Sequence, residues 1–263
     1  MDLGLKGKVA LVAAASKGLG RAVAEELAAE GAKLAICSRN AEAIEAVAHE
    51  IATKTGAEVL ARAADVSRAG DIGAFVDATL SIYGRVDILL TNSGGPPAGR
   101  FESMDPGEWQ KATELVLYGP IELARRVLPG MEQRRWGRIL NVSSIAVKQP
   151  IENLMLSNSL RAAVVGWART LANEVGGFGV TVNNLMPGYT RTERVEELSR
   201  VIAEREGISP EKAVTRWERE IPLGRLAEPR EFAALAAFLA SERASYITGQ
   251  TIAVDGGWIK SLL

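Results

Sequence analysis

At 263 residues, with 31 basic and 32 acidic side chains and a formal net charge of −1, the chain is long enough to bury a core without disulfides or metal. It lacks the electrostatic footprint of a nucleic-acid or anionic-membrane binder, so a small-molecule partner is expected. A single cysteine, Cys37, rules out an internal disulfide and fits a reducing, cytoplasmic setting, while a single histidine, His49, argues against His-rich zinc sites.

The opening "MDLGLKGKVALVAAASKG" holds too short an apolar run for a signal peptide, and no run approaches the roughly 20 residues of a membrane span. From there β-rich runs alternate with segments of helical period, the pattern of βαβ units around a parallel sheet. The strand candidates are "KVALVA" (8–13), "KLAICS" (33–38), "EVLARAAD" (58–65), "DILLTN" (87–92), "GRILNVSS" (137–144), "VTVNNLMP" (180–187) and "TIAVDG" (251–256). Several are apolar almost throughout, as strands covered on both faces are.

Between the strands, one-sided apolar stripes such as Leu19, Val23 and Leu27, or Ile44, Val47 and Ile51, predict helices lying on a sheet. The stretch 109–135 predicts a long helix interrupted or ended near Gly119-Pro120 and Pro129-Gly130. Another helix is predicted over 157–175, with apolar residues on more than one face, a frequent mark of an oligomer contact. The charged excursion 193–224 breaks the rhythm before a last helix at 228–240; it reads as a ligand-handling insertion or as a surface segment.

The first strand runs directly into "AAASKGLGRAVAEELAAEG". Glycines where strand becomes helix let backbone approach a ligand, and the helix N-terminus attracts phosphate. Ser16, Lys17, Gly18, Leu19 and Gly20 are therefore phosphate-site candidates, with an ordinary βα turn as the plainer reading. The second strand ends in "CSRN", where an acid would bind a ribose 2′-hydroxyl. Ser38 and Arg39 offer instead a hydroxyl and a guanidinium fork suited to a 2′-phosphate, favouring NADP(H) over NAD(H), unless Arg39 merely ends a strand.

These pieces, with "DV" at 65–66, "NSGG" at 92–95, "PGYTRT" at 187–192, "GRLAEPREFA" at 224–233 and "ITGQTIAVDGGW" at 247–258, occur in an order that resembles the short-chain dehydrogenase/reductase family. The likeness runs from about residue 5 to residue 258 and is greatest to the β-ketoacyl-carrier-protein reductase branch. It implies one α/β domain over residues 1–263, doubly wound and Rossmann-type, with a seven-stranded parallel sheet and helices on both faces. It further implies a homotetramer or homodimer built through the two long helices. By the same resemblance Asp65 and Val66 line an adenine pocket, Asn92 and Gly94 support the cofactor, and Pro187, Gly188 and Thr192 lie along the nicotinamide.

Reductases of this family polarise a carbonyl with a serine, protonate it from a tyrosine held by a lysine four residues on, and anchor a relay water on an asparagine. The serine position here is Ser144. Thirteen residues on, where the tyrosine belongs, stands Ser157; Arg161 takes the lysine position, Val116 the asparagine position, and Ala14 that of the first loop glycine. "AAVVGWARTLANEV" follows the family's helix without a gap and fixes this register independently.

A phenol of pKa near 10 can be pulled toward neutrality by a cation, whereas an aliphatic hydroxyl is a far weaker acid and ends about 4 Å closer to its backbone. Arg161 keeps a charge but cannot give up a proton, and Val116 has no hydrogen-bonding group in its side chain. Loss of a general acid costs on the order of 10²–10⁴ in rate. Tyr118 and Tyr189 are replacement donors to consider, each with a packing role as the alternative, and Ser144 also fits a strand-end serine satisfying backbone groups. Three functions compete: a reductase of a ketone or β-ketoacyl compound with rebuilt proton delivery, a catalytically silent nucleotide-binding homologue, and a relative of another reaction class.

Overall fold

The computed structural model describes residues 2–262. Seven strands, β1 (Val9–Val12), β2 (Lys33–Ser38), β3 (Val59–Ala63), β4 (Ile88–Thr91), β5 (Gly137–Val142), β6 (Val180–Pro187) and β7 (Thr251–Val254), form one sheet in the order β3-β2-β1-β4-β5-β6-β7. Every pairing is parallel. The near-continuous apolar runs have the reason expected of them, since β1, β4 and β5 are buried along their whole length.

Helices α1 (Gly18–Ala29), α2 (Ala41–Thr55) and, late in the chain, Pro229–Ala240 share a core with one face of the sheet. Helices α3 (Ala69–Tyr83), Gly119–Arg134 and Met155–Val175 cover the other. In chain order the remaining helices are α4 (Pro106–Thr113), α5 (Gly119–Arg134), α6 (Met155–Val175), α7 (Glu193–Glu206), α8 (Pro210–Glu220) and α9 (Pro229–Ala240). Strand order reverses between β1 and β4, which opens the crevice at their carboxyl ends where folds of this kind bind ligands. No helix among the described residues is long and apolar enough to cross a membrane.

The long helix predicted over 109–135 is interrupted beside Gly119-Pro120, as expected, by a π-helical turn, Glu114–Tyr118. Pro120 has no N–H for the carbonyl four residues back and its ring crowds that carbonyl, which a wider turn relieves. Gly119 is needed beside it because a Cβ would collide with the Val66 carbonyl oxygen. Pro129, by contrast, does not end the helix: α5 continues to Arg134 and closes on Arg135 at φ 53. The excursion 193–224 holds α7 and α8, which enclose a small core of their own around Trp217, Ile221 and Trp258.

Four side chains form a hydrogen-bonded rung through the middle of the sheet. Thr91 Oγ1 donates to Asn141 Oδ1 (2.7 Å), Asn141 Nδ2 to Asn184 Oδ1 (3.1 Å) and Asn184 Nδ2 to Thr251 Oγ1 (3.2 Å). Each pair is also a register pair of adjacent strands, and both asparagines are fully buried. A one-residue slip would strand all these groups in an apolar interior, so the rung locks β4 through β7 in register just below the crevice. Asn141→Ala orphans the Thr91 hydroxyl and the Asn184 side-chain carbonyl oxygen; at about 1–3 kcal/mol for each orphan, the expected loss is about 2–6 kcal/mol, read as a lower urea midpoint at unchanged slope.

Candidate active site

The Gly loop joins β1 to α1. The α1 N-terminus has no side-chain cap and no acid in its first turn, whereas α2, α4 and α8 are capped by Asn40, Asp105 and Ser209. Its first N–H groups are left for an anion at the positive end of the helix dipole. A Cβ on Gly20 would collide with the Ala14 carbonyl oxygen and come within 2.8 Å of Asn92 Nδ2, which itself donates to that oxygen at 3.2 Å. Gly20 and Asn92 therefore clamp the loop from two sides, and the donor set fits a dinucleotide phosphate. Ala14 sits at φ 49 and Gly18 at φ 58, so the position where the family has glycine does require the left-handed region.

Ser16 is half-buried, Lys17 exposed, and Leu19 packs against the core beneath the loop. At the end of β2, Ser38 is buried and donates its hydroxyl to the Asn40 carbonyl (2.8 Å), while Arg39 is exposed beside it. Burial works against the Asp65 carboxylate, but the Ser67 N–H and hydroxyl, with Arg39 and Arg68 beyond, hold its pKa below the usual range. Val66 is buried and its carbonyl meets the start of α5.

The chain returns to the crevice after β6. Pro187 ends the strand, and Gly188 donates to Val254 O (2.9 Å) where a Cβ would lie 2.6 Å from the Asp255 Cα. Thr192 rests over Gly18, its methyl 3.6 Å from where a Cβ on that glycine would be. The next residue, Glu193, forms an ion pair with Lys17. Arg194 then donates through Nη2 to Pro96 O (3.0 Å) in the loop after β4. Three successive residues at the head of α7 thus touch both walls of the crevice.

Where the resemblance puts the lysine, Arg161 is 9% exposed and its guanidinium faces backbone, not carboxylates. Nη1 donates to Val142 O (2.6 Å) and Ser143 O (3.1 Å), and Nη2 to Gly94 O (2.7 Å). Burial, and then the charge of Arg194, lower its pKa to about 10, so it remains a cation at neutral pH. Ser144 caps the short helical turn Ile145–Val147, its Oγ accepting from the Ala146 N–H at 3.1 Å. That satisfies a backbone group, as anticipated, and leaves the hydroxyl proton free to donate.

Ser157 is 8% exposed on α6, and its hydroxyl makes no hydrogen bond within the described residues. Val116 is buried in an apolar cluster with Ala112, Leu156 and Leu160. A relay water would find no side-chain partner in that cluster. Neither tyrosine weighed in the sequence is held as a free hydroxyl inside the crevice. Tyr118 is 60% exposed; Tyr189 stacks on Trp217 at 4.6 Å, and burial together with Glu220 pushes its pKa up to about 12.

Reading the sequence missed Glu193 and Arg194. They lie directly after Thr192, within a charged segment whose partners become visible only when α7 folds back onto the Gly loop.

The sequence profile described as enoyl-(acyl carrier protein) reductase matches residues 13–259. The chain is 32% identical over 257 residues to 3-oxoacyl-[acyl-carrier-protein] reductase FabG of Aquifex aeolicus, covering 98% of this chain and 99% of the relative. It is 33% identical over 256 residues to the NADPH-dependent reductase BacG of Bacillus subtilis, covering 97% and 99%. Among solved structures, L-sorbose reductase of Gluconobacter frateurii complexed with NADPH and L-sorbose superposes with a TM-score of 0.95 at 33% identity, over 100% of both chains.

A left-handed alanine costs about 1–2 kcal/mol, of which glycine's greater unfolded-state freedom takes back about 0.4–1. Ala14→Gly is therefore expected to raise stability by about 0.5–1 kcal/mol, measurable as a rise in thermal midpoint. An unchanged or lower midpoint would show that the loop carries no strain at this residue.

Proposed function

The chain belongs to the short-chain dehydrogenase/reductase family of oxidoreductases, and on that premise we propose that it is an NADP(H)-dependent reductase of a ketone or β-ketoacyl compound, with proton delivery that does not use a tyrosine. One observation carries the reading: a buried, uncompensated cation, Arg161, lies beside the Ser144 turn in a crevice whose phosphate end is intact. When bound, the dinucleotide supplies the hydride. Lys17 and the α1 N–H groups hold its phosphates, Ser38 and Arg39 meet the 2′-phosphate, Asp65 and Val66 border the adenine, and Pro187, Gly188 and Thr192 flank the nicotinamide.

Ser144 accepts from the Ala146 N–H and is thereby polarised to donate to the carbonyl oxygen. Arg161 places a fixed positive charge where that oxygen becomes negative. Ser157, with no protein partner, is the hydroxyl through which a water delivers the proton. The family's helices α5 and α6 make the homotetramer or homodimer interface in this reading; Ala162, Ala163 and Gly166 stand exposed on α6 for that contact. A second reading, a nucleotide-binding homologue without turnover, is favoured by the apolar sealing of Val116.

The two readings part on one assay. Purified protein is titrated with NADPH by fluorescence and then challenged with ketones, β-ketoacyl thioesters and quinones while NADPH absorbance is followed. Turnover is expected, with Ser144→Ala lowering kcat by about 10²–10³ at unchanged NADPH affinity. NADPH binding with no turnover on any substrate supports the silent homologue, and absence of binding removes both. If the site is a decayed reductase, the triple change Val116→Asn, Ser157→Tyr and Arg161→Lys raises activity; no gain in a folded, NADPH-binding triple variant indicates a pocket rebuilt beyond those positions.

A further inference from the structure

Two guanidinium groups converge on one short loop. Arg161 reaches Gly94 O from α6 (2.7 Å), and Arg194 reaches Pro96 O from α7 (3.0 Å), its Nε lying 3.0 Å from where a Cβ on Gly95 would be. Like charges repel, and no buried carboxylate among the described residues faces this pair. Arg161 has no carboxylate within ion-pair distance among the described residues. The one carboxylate on Arg194 is Glu197 at 3.3 Å, one turn along α7 and with a 53% exposed side chain, while Glu193 is taken by Lys17.

A buried cation is ordinarily compensated by an opposite charge, and removing it from water costs several kcal/mol. Three of the five N–H donors of Arg161 are spent on carbonyls, which leaves two. Arg194 has an Nε–H beyond its contacts with Pro96 and Glu197. Arg194 Nε lies beside Gly95, and Gly94, whose carbonyl Arg161 holds, and Gly95 carry no side chain and are exposed.

We infer that Arg161 and Arg194 form an anion subsite holding a carboxylate of the substrate, so that the ketone reduced is a keto acid. This deepens the reading of the chain as a reductase and rests on it. Arg161 supplies a buried positive potential reaching both the carboxylate and the carbonyl oxygen, and Arg194 at the rim supplies hydrogen bonds to the carboxylate. The carboxylate makes and breaks no bond: the carbonyl carbon gains a hydride and its oxygen a proton, the two electrons coming from the reduced dinucleotide. A planar fork suits a carboxylate better than an ammonium does, in keeping with arginine at both positions.

The test is binding, independent of turnover. Pyruvate and benzoylformate, and the methyl ester of each, are titrated calorimetrically into the NADP⁺-saturated protein and into Arg194→Gln and Arg194→Lys variants of unchanged thermal midpoint. At least one acid is expected to bind about tenfold or more tighter than its ester, a preference lost in Arg194→Gln and partly kept in Arg194→Lys. Equal affinity for acid and ester in both pairs, no binding of any of the four, or a preference that survives Arg194→Gln overturns the inference while leaving the reductase reading in place. If Arg194→Gln weakens NADP⁺ and not the acids, the subsite belongs to the dinucleotide pyrophosphate and the substrate assignment fails. Wild-type protein that does not bind NADP⁺ removes the reductase reading and this inference with it.

Discussion

The site is organised by one side chain that had to leave water. Arg161 projects from α6 into the carboxyl end of β5 and takes hold of Val142, Ser143 and the post-β4 Gly94 through their carbonyls. Hydrogen bonds from a charged donor contribute about 1.5–3 kcal/mol each, enough to offset a large share of the desolvation of the cation. The consequence is geometric: one helix, one strand end and one loop are tied to a common point, and the residues considered for chemistry are placed relative to it. An ammonium on the same stem is a point charge, without the planar fork that reaches two elements at once.

The nucleotide end follows a different logic, in which backbone is held so that it can present itself. Gly20 and Asn92 fix the Ala14 carbonyl, and the α1 N-terminus is left without the caps that the chain provides for α2, α4 and α8. A cap is worth roughly 1 kcal/mol to a helix, and at α1 its absence, with no acid in the first turn, leaves the first N–H groups open toward the crevice. Below, the rung of Thr91, Asn141, Asn184 and Thr251 holds four adjacent strands in one register, so that the loops after β4, β5 and β6 leave the same edge of the sheet.

The sequence made the strands and most helices legible because burial on two faces or one stripe leaves a period that composition alone reveals. Asn141 and Asn184 were visible as polar residues inside apolar runs, but their partners lie on neighbouring strands and have no local signature. The left-handed conformation of Ala14 is likewise invisible, since alanine is the residue least informative about a positive φ. The α7 contacts to Lys17 and Pro96 depend on a fold-back of more than ninety residues in chain separation, and a charge run such as "ERVEELSR" reads the same whether its face is solvated or closed on a crevice.

Three substitutions that look independent in the sequence occupy one connected piece of structure. Val116 packs with Leu156 and Leu160, which flank Ser157 and adjoin Arg161 on the same helix, so positions 116, 157 and 161 belong to a single unit. Changing one alone creates a fault: an asparagine at 116 would put an amide among apolar neighbours, and a lysine at 161 would release carbonyls that the guanidinium now satisfies. Each of the three therefore depends on its neighbours in the same packed unit. The apolar cluster is closed and the guanidinium is bound on three sides, while the Ser157 hydroxyl between them has no partner among the described residues.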